Sequence, residues 1–283
     1  MPEASQPFTF SALFKIIRFW NLAIIVFAQG FTAYFLVGGN TLFVPQWYVL
    51  VLSTVLIAAA GYIINDYYDV KIDLINKPER VVVGKSIRRR YALLFHWALS
   101  FIGVSLGFLL SWKIAVVNFF SGFLLWWYSN LLKRKPFVGN FSVALLTGLS
   151  VYVVAVLFDP FNKLILVYSF FSFFITLIRE IIKDIEDLKG DNTFGCQTLP
   201  IIWGIRKTKT FIYLLALIHV LAIVYFNSLY VWLPVWILTV FVFFPVSFLV
   251  LRLTFADTVK DFSKLSLYCK IILLLGVLSM AFL

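Results

Sequence analysis

Apolar runs long enough to cross a bilayer as a helix, about 20 residues each, recur along almost the whole chain. They lie at 14–37, 46–64, 91–111, 114–132, 140–158, 162–182, 210–227, 230–253 and 266–283. The pattern predicts nine transmembrane helices and an all-α fold. The connections near Trp112 and near residues 227–229 are only a few residues long, so the third and fourth helices and the seventh and eighth are expected to form tight hairpins. The longest polar stretches are 65–90 and 183–209. With no linker, low-complexity tract or soluble segment between the runs, residues 1–283 are expected to form one integral-membrane unit. The first apolar run is too long for a cleaved signal peptide and is expected to stay in the mature protein.

Composition agrees with this pattern. Hydrophobic residues make up 62% of the 283 positions and charged ones 13%, more apolar side chain than a water-soluble core can absorb. The 32 Phe, 13 Tyr and 9 Trp exceed what interfacial belts require, so some are expected to face lipid or line an interior cavity. A formal net charge of +11 on a soluble fold would raise the question of nucleic acid. On this hydropathy it points instead to membrane topology, anionic lipid or polyanionic substrates. The 2 cysteines, Cys196 and Cys269, have no metal-ligand spacing and form no disulfide framework. His96 and His219 stand alone in apolar runs and read as packing residues.

Basic residues set the orientation, because cytoplasmic loops retain them. Of 24 Lys and Arg, only Lys113 and Lys163 fall on one side. The other 22 lie at the N-terminus, in the loops after helices 2, 4, 6 and 8, or at their helix ends. The N-terminus and these loops are therefore expected in the cytoplasm and the C-terminus outside, as for a multi-pass protein of the cell (inner) membrane.

The candidate chemistry sits in the two polar stretches. With Glu180 at the preceding helix end included, they hold nine of the 13 acidic residues. Asp66, Asp69 and Asp73 follow the second apolar run at spacings of three and then four, which stacks them on one face of a helix. Asp184, Asp187 and Asp191 repeat that spacing after the sixth run, at a constant offset of 118 residues. The repetition predicts a pseudo-symmetric bundle whose two acidic faces point into one central cavity, open on the cytoplasmic side. Three carboxylates on one face repel each other unless a cation offsets them. Mg²⁺ takes oxygen ligands and commonly bridges carboxylates to substrate phosphates, so two facing triads would form a cage for a diphosphate. The competing reading is a pair of solvated helix ends tied to Lys71, Lys77 and Lys189. Glu79, Glu180 and Glu186 have no matched partner and read as structural or supporting groups.

At these residues the sequence resembles the UbiA superfamily of intramembrane prenyltransferases, whose motifs are N-D-x-x-D-x-x-x-D and a second D-x-x-D-x-x-x-D-like segment. Asn65 to Asp73 and Asp184 to Asp191 match them without substitution. Arg18 with Asn21, and Tyr128 to Lys133 with Gly139 and Asn140, extend the resemblance. The segment from Arg179 to Asp191 followed by Thr198-Leu199-Pro200, and Asn76 to Arg80, are most similar to the digeranylgeranylglyceryl phosphate synthase branch. The resemblance implies Mg²⁺ held by Asp66, Asp69, Asp73, Asp184, Asp187 and Asp191, with Asn65 assisting. It implies substrate contacts from Arg18, Asn21, Arg80, Tyr128, Lys133 and Lys183. It also implies transfer of a prenyl group, through an allylic cation that aromatic faces can stabilise, onto a lipidic or aromatic acceptor. Tyr67, Tyr68, Trp126, Trp127 and Tyr128 are the candidates for those faces. An aromatic prenyltransferase of the same superfamily is the enzymatic alternative. A cation-coupled transporter is the non-enzymatic one, although its site would be expected nearer the midplane.

Overall fold

A computed structural model describes residues 10–231 and 233–283. After a short helix α1 (Phe10–Ile16) come α2 (Phe19–Phe31, continued by a π-helical turn Thr32–Val37), α3 (Pro45–Asn76), α4 (Arg89–Leu110) and α5 (Trp112–Asn130). Then follow α6 (Val138–Phe158), α7 (Lys163–Glu186), the short α8 (Leu188–Thr193), α9 (Leu199–Phe226), α10 (Val235–Leu238), α11 (Phe244–Thr254) and α12 (Val259–Ser279). Among the described residues there is no β-strand, and the chain is an integral, multi-pass membrane protein. Among the described residues, eight rods are long and apolar enough to span a bilayer, with α10 and α11 forming one of them through a π-helical turn. The ninth, α5, is 19 residues long, which at 1.5 Å per residue nearly crosses the hydrocarbon. Its hydropathy is diluted by Lys113, Asn118, Asn130 and the Trp126-Trp127-Tyr128 run. Its start is fixed by Ser111, whose hydroxyl accepts from the Ile114 amide at 3.2 Å.

The helices form two groups. α3 packs on α4 and α5, and α7 packs on α6, α9 and α12, while α2 touches α3, α6 and α12 and joins the groups. α7 is the central helix: 72% of its apolar window is buried, against 17% for the peripheral α4. Isoleucines Ile175, Ile178, Ile181, Ile182 and Ile185 fill its contacts. Much of the aromatic surplus goes to the outer surface, with Phe101, Phe119 and Phe244 among the exposed side chains, as lipid-facing positions allow.

The helix ends differ from the apolar runs, and the reason is local. The second run was expected to end at 64, but α3 continues to Asn76 because no Gly or Pro interrupts 65–76, and it stops only before Lys77-Pro78. The first acidic triad therefore lies on the last turns of a 32-residue helix and not in a loop. The first run was expected to be continuous from 14, yet it breaks at Arg18, which takes a left-handed conformation (φ 52°) between α1 and α2. The seventh was expected from 210 and begins at Leu199, with a kink at Gly204 where φ is +78°. The ninth was expected from 266 and begins at Val259, behind a capping box made by Thr258 and Asp261. This earlier start puts Lys270, counted from the sequence as a helix-end residue, near the middle of α12.

Candidate functional site

The second triad departs from the helical stacking expected of it. α7 ends at Glu186, and Asp187 (φ −92°, ψ 6°) is the hinge residue from which α8 departs. Asp184 therefore stays on α7, Asp187 sits at the turn and Asp191 lies on α8. Asp66, Asp69 and Asp73 share α3, as the spacing predicts.

The two acidic segments are clamped together at their ends. Asn76, the last residue of α3, donates from Nδ2 to the Asp187 carbonyl at 3.1 Å and accepts the Gly190 amide at 2.9 Å. Next to it, Lys77 bridges the Asp187 carboxylate at 2.8 Å and Glu186 at 3.0 Å. Gly190 is required here, since a Cβ at this position would collide with the Asn76 amide. Asp73 and Asp187 are thereby brought near enough to repel each other across the gap, and Asp191 repels both Asp184 and Asp187. Burial, reinforced by Asp187, pushes the Asp191 carboxyl up to about 6. The mutual repulsion makes these carboxyls easier to protonate than isolated ones. Gly190→Ala is expected to loosen this clamp and lower transfer at least tenfold while the protein still inserts; an initial-rate comparison with wild type checks it.

Polar and basic side chains meet the other carboxylates. The Arg18 guanidinium donates to Asp66 at 2.8 Å and lies over the Tyr62 ring at 5.1 Å. Lys133 contacts Asp69, which is buried, and Asn140 Nδ2 donates to Asp184 at 2.9 Å. Arg18, Lys133, Asn140 and Lys77 thus surround a two-sided wall of hard oxygen donors. Among the described residues no three acidic, histidine or cysteine side chains converge as a preformed metal cluster. The donor set itself, six carboxylates in two clamped segments, suits an oxygen-seeking divalent ion such as Mg²⁺.

Adjoining the acidic segments is a cavity of about 260 Å³ between the two helix groups. Of the residues singled out in the sequence, Arg18, Asn21, Asn65, Tyr128 and Lys183 line it, whereas none of the six aspartates expected to point into a central cavity is in its lining. Lys133 is instead at the acidic wall, and the Arg80 side chain lies outside the described ones. Tyr67 is not in the lining; its ring stacks under Arg89 at 4.8 Å. Tyr68, Trp126 and Trp127 are absent from it too, so Tyr128 is the one aromatic candidate placed there, joined by Tyr62. Sequence reasoning missed Tyr62, Arg179 and Lys270, which also line the cavity, and the Asn76 clamp. The available signal for Arg179 and Lys270 was a charge inside an apolar helix, which is rare unless it faces a partner or a cavity.

Comparison with known proteins places this geometry in context. Residues 24–272 match the UbiA prenyltransferase family. The chain is 36% identical over 248 residues to a digeranylgeranylglyceryl phosphate synthase of Saccharolobus solfataricus, covering 83% of this chain and 86% of that protein. A second digeranylgeranylglyceryl phosphate synthase, from Methanosphaera stadtmanae, is 33% identical over 81% of this chain and 85% of its own length. Among solved structures, one of a digeranylgeranylglyceryl phosphate synthase superposes with a TM-score of 0.73 at 23% identity, covering 95% of this chain and 96% of the other. A UbiA homologue from Archaeoglobus fulgidus bound to GPP and Mg²⁺ gives a TM-score of 0.70 at 15% identity over 95% and 99% of the two chains. The helical membrane fold is shared throughout.

Proposed function

From the premise that the chain belongs to the UbiA prenyltransferase family, we propose that it moves a geranylgeranyl group from its diphosphate to the free hydroxyl of geranylgeranylglyceryl phosphate. The observation that carries this reading is the clamp of Asn76 and Lys77 on Asp187 and Gly190, which joins two acidic segments at a cavity with basic and aromatic lining. The relatives named for this synthesis support the choice of acceptor.

Asp66, Asp69, Asp73, Asp184, Asp187 and Asp191 are the residues that would hold Mg²⁺; the UbiA homologue from Archaeoglobus fulgidus is bound to GPP and Mg²⁺. When bound, the ion neutralises the diphosphate and makes it a better leaving group. The chain's own groups do the rest. Lys133, paired with Asp69 at the acidic wall, and Lys183, in the cavity lining, are the candidates to contact the diphosphate oxygens once a metal ion takes up the carboxylates, and Asn65 lines the cavity next to Asp66. Breaking the allylic carbon–oxygen bond leaves positive charge on the prenyl carbon, which the π-faces of Tyr62 and Tyr128 can stabilise. The acceptor oxygen then forms the new ether bond and releases its proton. Apolar walls such as Ile24, Ile57 and Leu146 exclude water that would otherwise capture the cation.

The test is product analysis of purified protein supplied with Mg²⁺, labelled geranylgeranyl diphosphate and a panel of acceptors. The expected product is the double ether phosphate. Turnover of hydroxybenzoate or a naphthoate, with none of the glyceryl phosphate, would replace this reading with the aromatic branch.

The same reading puts the acidic segments on the cytoplasmic side of the cell membrane, following the 22 to 2 bias of basic residues. Cysteines introduced at Lys85 and Lys207 are expected to react with an impermeant thiol reagent only from the cytoplasm, and one at Asn40 only from outside. Labelling of positions 40 and 85 from the same side would break this topology.

A further inference from the structure

The cavity runs away from the acidic wall and ends inside the bundle. On α3 its lining extends from Asn65 to Thr54, about 16 Å of helix. On α6 it reaches Val153, about 20 Å beyond Asn140, the residue that holds Asp184 at the wall. Past these residues the interior is filled. Leu50, one turn beyond Thr54, belongs with Ile114, Ala33 and Val154 to a fully buried apolar cluster that also takes in Val153.

Gln29 ties α2 into this floor. It is fully buried, and its Nε2 donates to Thr54 Oγ1 at 3.1 Å and to the Ser150 carbonyl at 2.8 Å, so one amide joins α2 to both α3 and α6. Thr54 and Ser150 both line the deep part of the cavity. An amide that loses such partners in an apolar interior is left unsatisfied, so the bridge is directional and fixes how closely α2 approaches. An apolar side chain at position 29 would fill space without setting that approach.

The lining between wall and floor suits a hydrocarbon chain. Ile24, Ile57, Leu146 and Leu149 are apolar, and the hydroxyls of Thr54, Thr147 and Ser150 each donate to a carbonyl of their own helix. Those protons need no partner in the cavity. With carbon–carbon bonds of about 1.5 Å, an extended isoprene unit is about 5 Å long and four units measure about 20 Å. That length matches the run from wall to floor, and a fifth unit would meet Leu50 and Ile114.

Resting on the proposed function above, in which the donor's diphosphate lies at the acidic wall, we propose that Gln29 is a specificity-determining residue for the donor's chain length: its bridge to Thr54 and Ser150 holds the floor against which the fourth isoprene unit ends.

The experiment measures kcat/KM with Mg²⁺ and geranylgeranylglyceryl phosphate for diphosphate donors of two, three, four and five isoprene units, in wild type, Gln29→Ala, Thr54→Ala and Ala58→Phe. Wild type is expected to use the five-unit donor at about a tenth or less of the four-unit value, and Gln29→Ala to raise the five-to-four ratio about tenfold or more. Ala58 lines the cavity about 10 Å from Asn65 along α3, so Ala58→Phe is expected to shift preference from the four-unit to the two-unit donor by a similar factor. The readout is a ratio within each variant, which a partial loss of folded protein leaves unchanged. Should Gln29→Ala fail to fold, Thr54→Ala, a milder change at the same floor, gives the same comparison. An equal loss with every donor in Gln29→Ala would make the bridge structural only and overturn the stop, as would wild type that uses five-unit and four-unit donors alike. An unchanged preference in Ala58→Phe would take the donor chain out of this cavity and overturn it as well. Wild type that transfers no chain of any length to geranylgeranylglyceryl phosphate would instead overturn the reading on which the stop rests.

Discussion

In chelator, transfer is expected to fall by about a thousandfold or more and to return when Mg²⁺ is restored, because a diphosphate brought to six aspartates without a countercharge meets repulsion from both segments. Stabilisation of developing charge by a bound metal is worth several kcal/mol, and about 4 kcal/mol corresponds to three decades in rate. The chain's own cations cannot take over. Arg18 is engaged by Asp66, Lys77 by Glu186 and Asp187, and Lys133 by Asp69. Rates measured after dialysis against chelator, with and without added Mg²⁺, decide the matter. Full turnover in chelator would exclude a metal cage and leave the acidic segments with a structural role.

Asp69→Asn and Asp187→Asn are each expected to lower transfer by about a hundredfold to a thousandfold, the range found when one preorganised charge-stabilising group is removed. Each is the middle member of its triad, and each is tied to a lysine that holds it in place. Asparagine is preferred to alanine because it keeps the volume of the buried Asp69 side chain and leaves no cavity beneath Lys133. Asp187→Asn also weakens the Lys77 bridge, so the folding check is needed to separate catalysis from architecture. Asp187 also accepts the Asn76 amide, but through its backbone carbonyl, which the substitution leaves in place. Loss of activity with unaltered gel-filtration behaviour therefore reports the carboxylate. Near-normal activity in either variant would falsify the assignment of that triad to catalysis.

The acidic wall was legible because its chemistry is local. Asp66, Asp69 and Asp73 lie on one continuous helix, so the three-then-four spacing fixes their common face without any tertiary contact. The same inference fails in part for Asp184, Asp187 and Asp191, because the chain leaves the helical path at Asp187. Spacing can state which face a residue would occupy on a helix, but not where the helix ends when a tertiary partner competes for it. Here the partners are Asn76 and Lys77, more than a hundred residues earlier in sequence.

The cavity lining shows the opposite case. Arg18 and Asn21 stood out from the family motifs, but Lys270 looked like one more basic residue near a cytoplasmic helix end. Its placement depends on where α12 begins, and that start is set by the Thr258 and Asp261 capping box, five to eight residues before the apolar run at 266. Likewise, Tyr67 and Tyr68 adjoin the acidic motif in sequence, yet Tyr62, one turn earlier, is the tyrosine in the cavity.

By itself the sequence determined the solvent of this protein, its helical class, the approximate location of its spans but not their ends, and the two acidic segments. Hydropathy, helical period and short-range repulsion act within a few residues and are written directly in their order. Only the tertiary structure decided that Asn76 and Lys77 clamp the segments together, that α7 runs through the centre, and that Lys270 and Arg179 meet the cavity. These depend on which helix faces pack against each other. In a chain where nearly every face is apolar, hydrophobicity does not distinguish the lipid-facing side from the packed one, so polar contacts and close approach between distant helices make that choice.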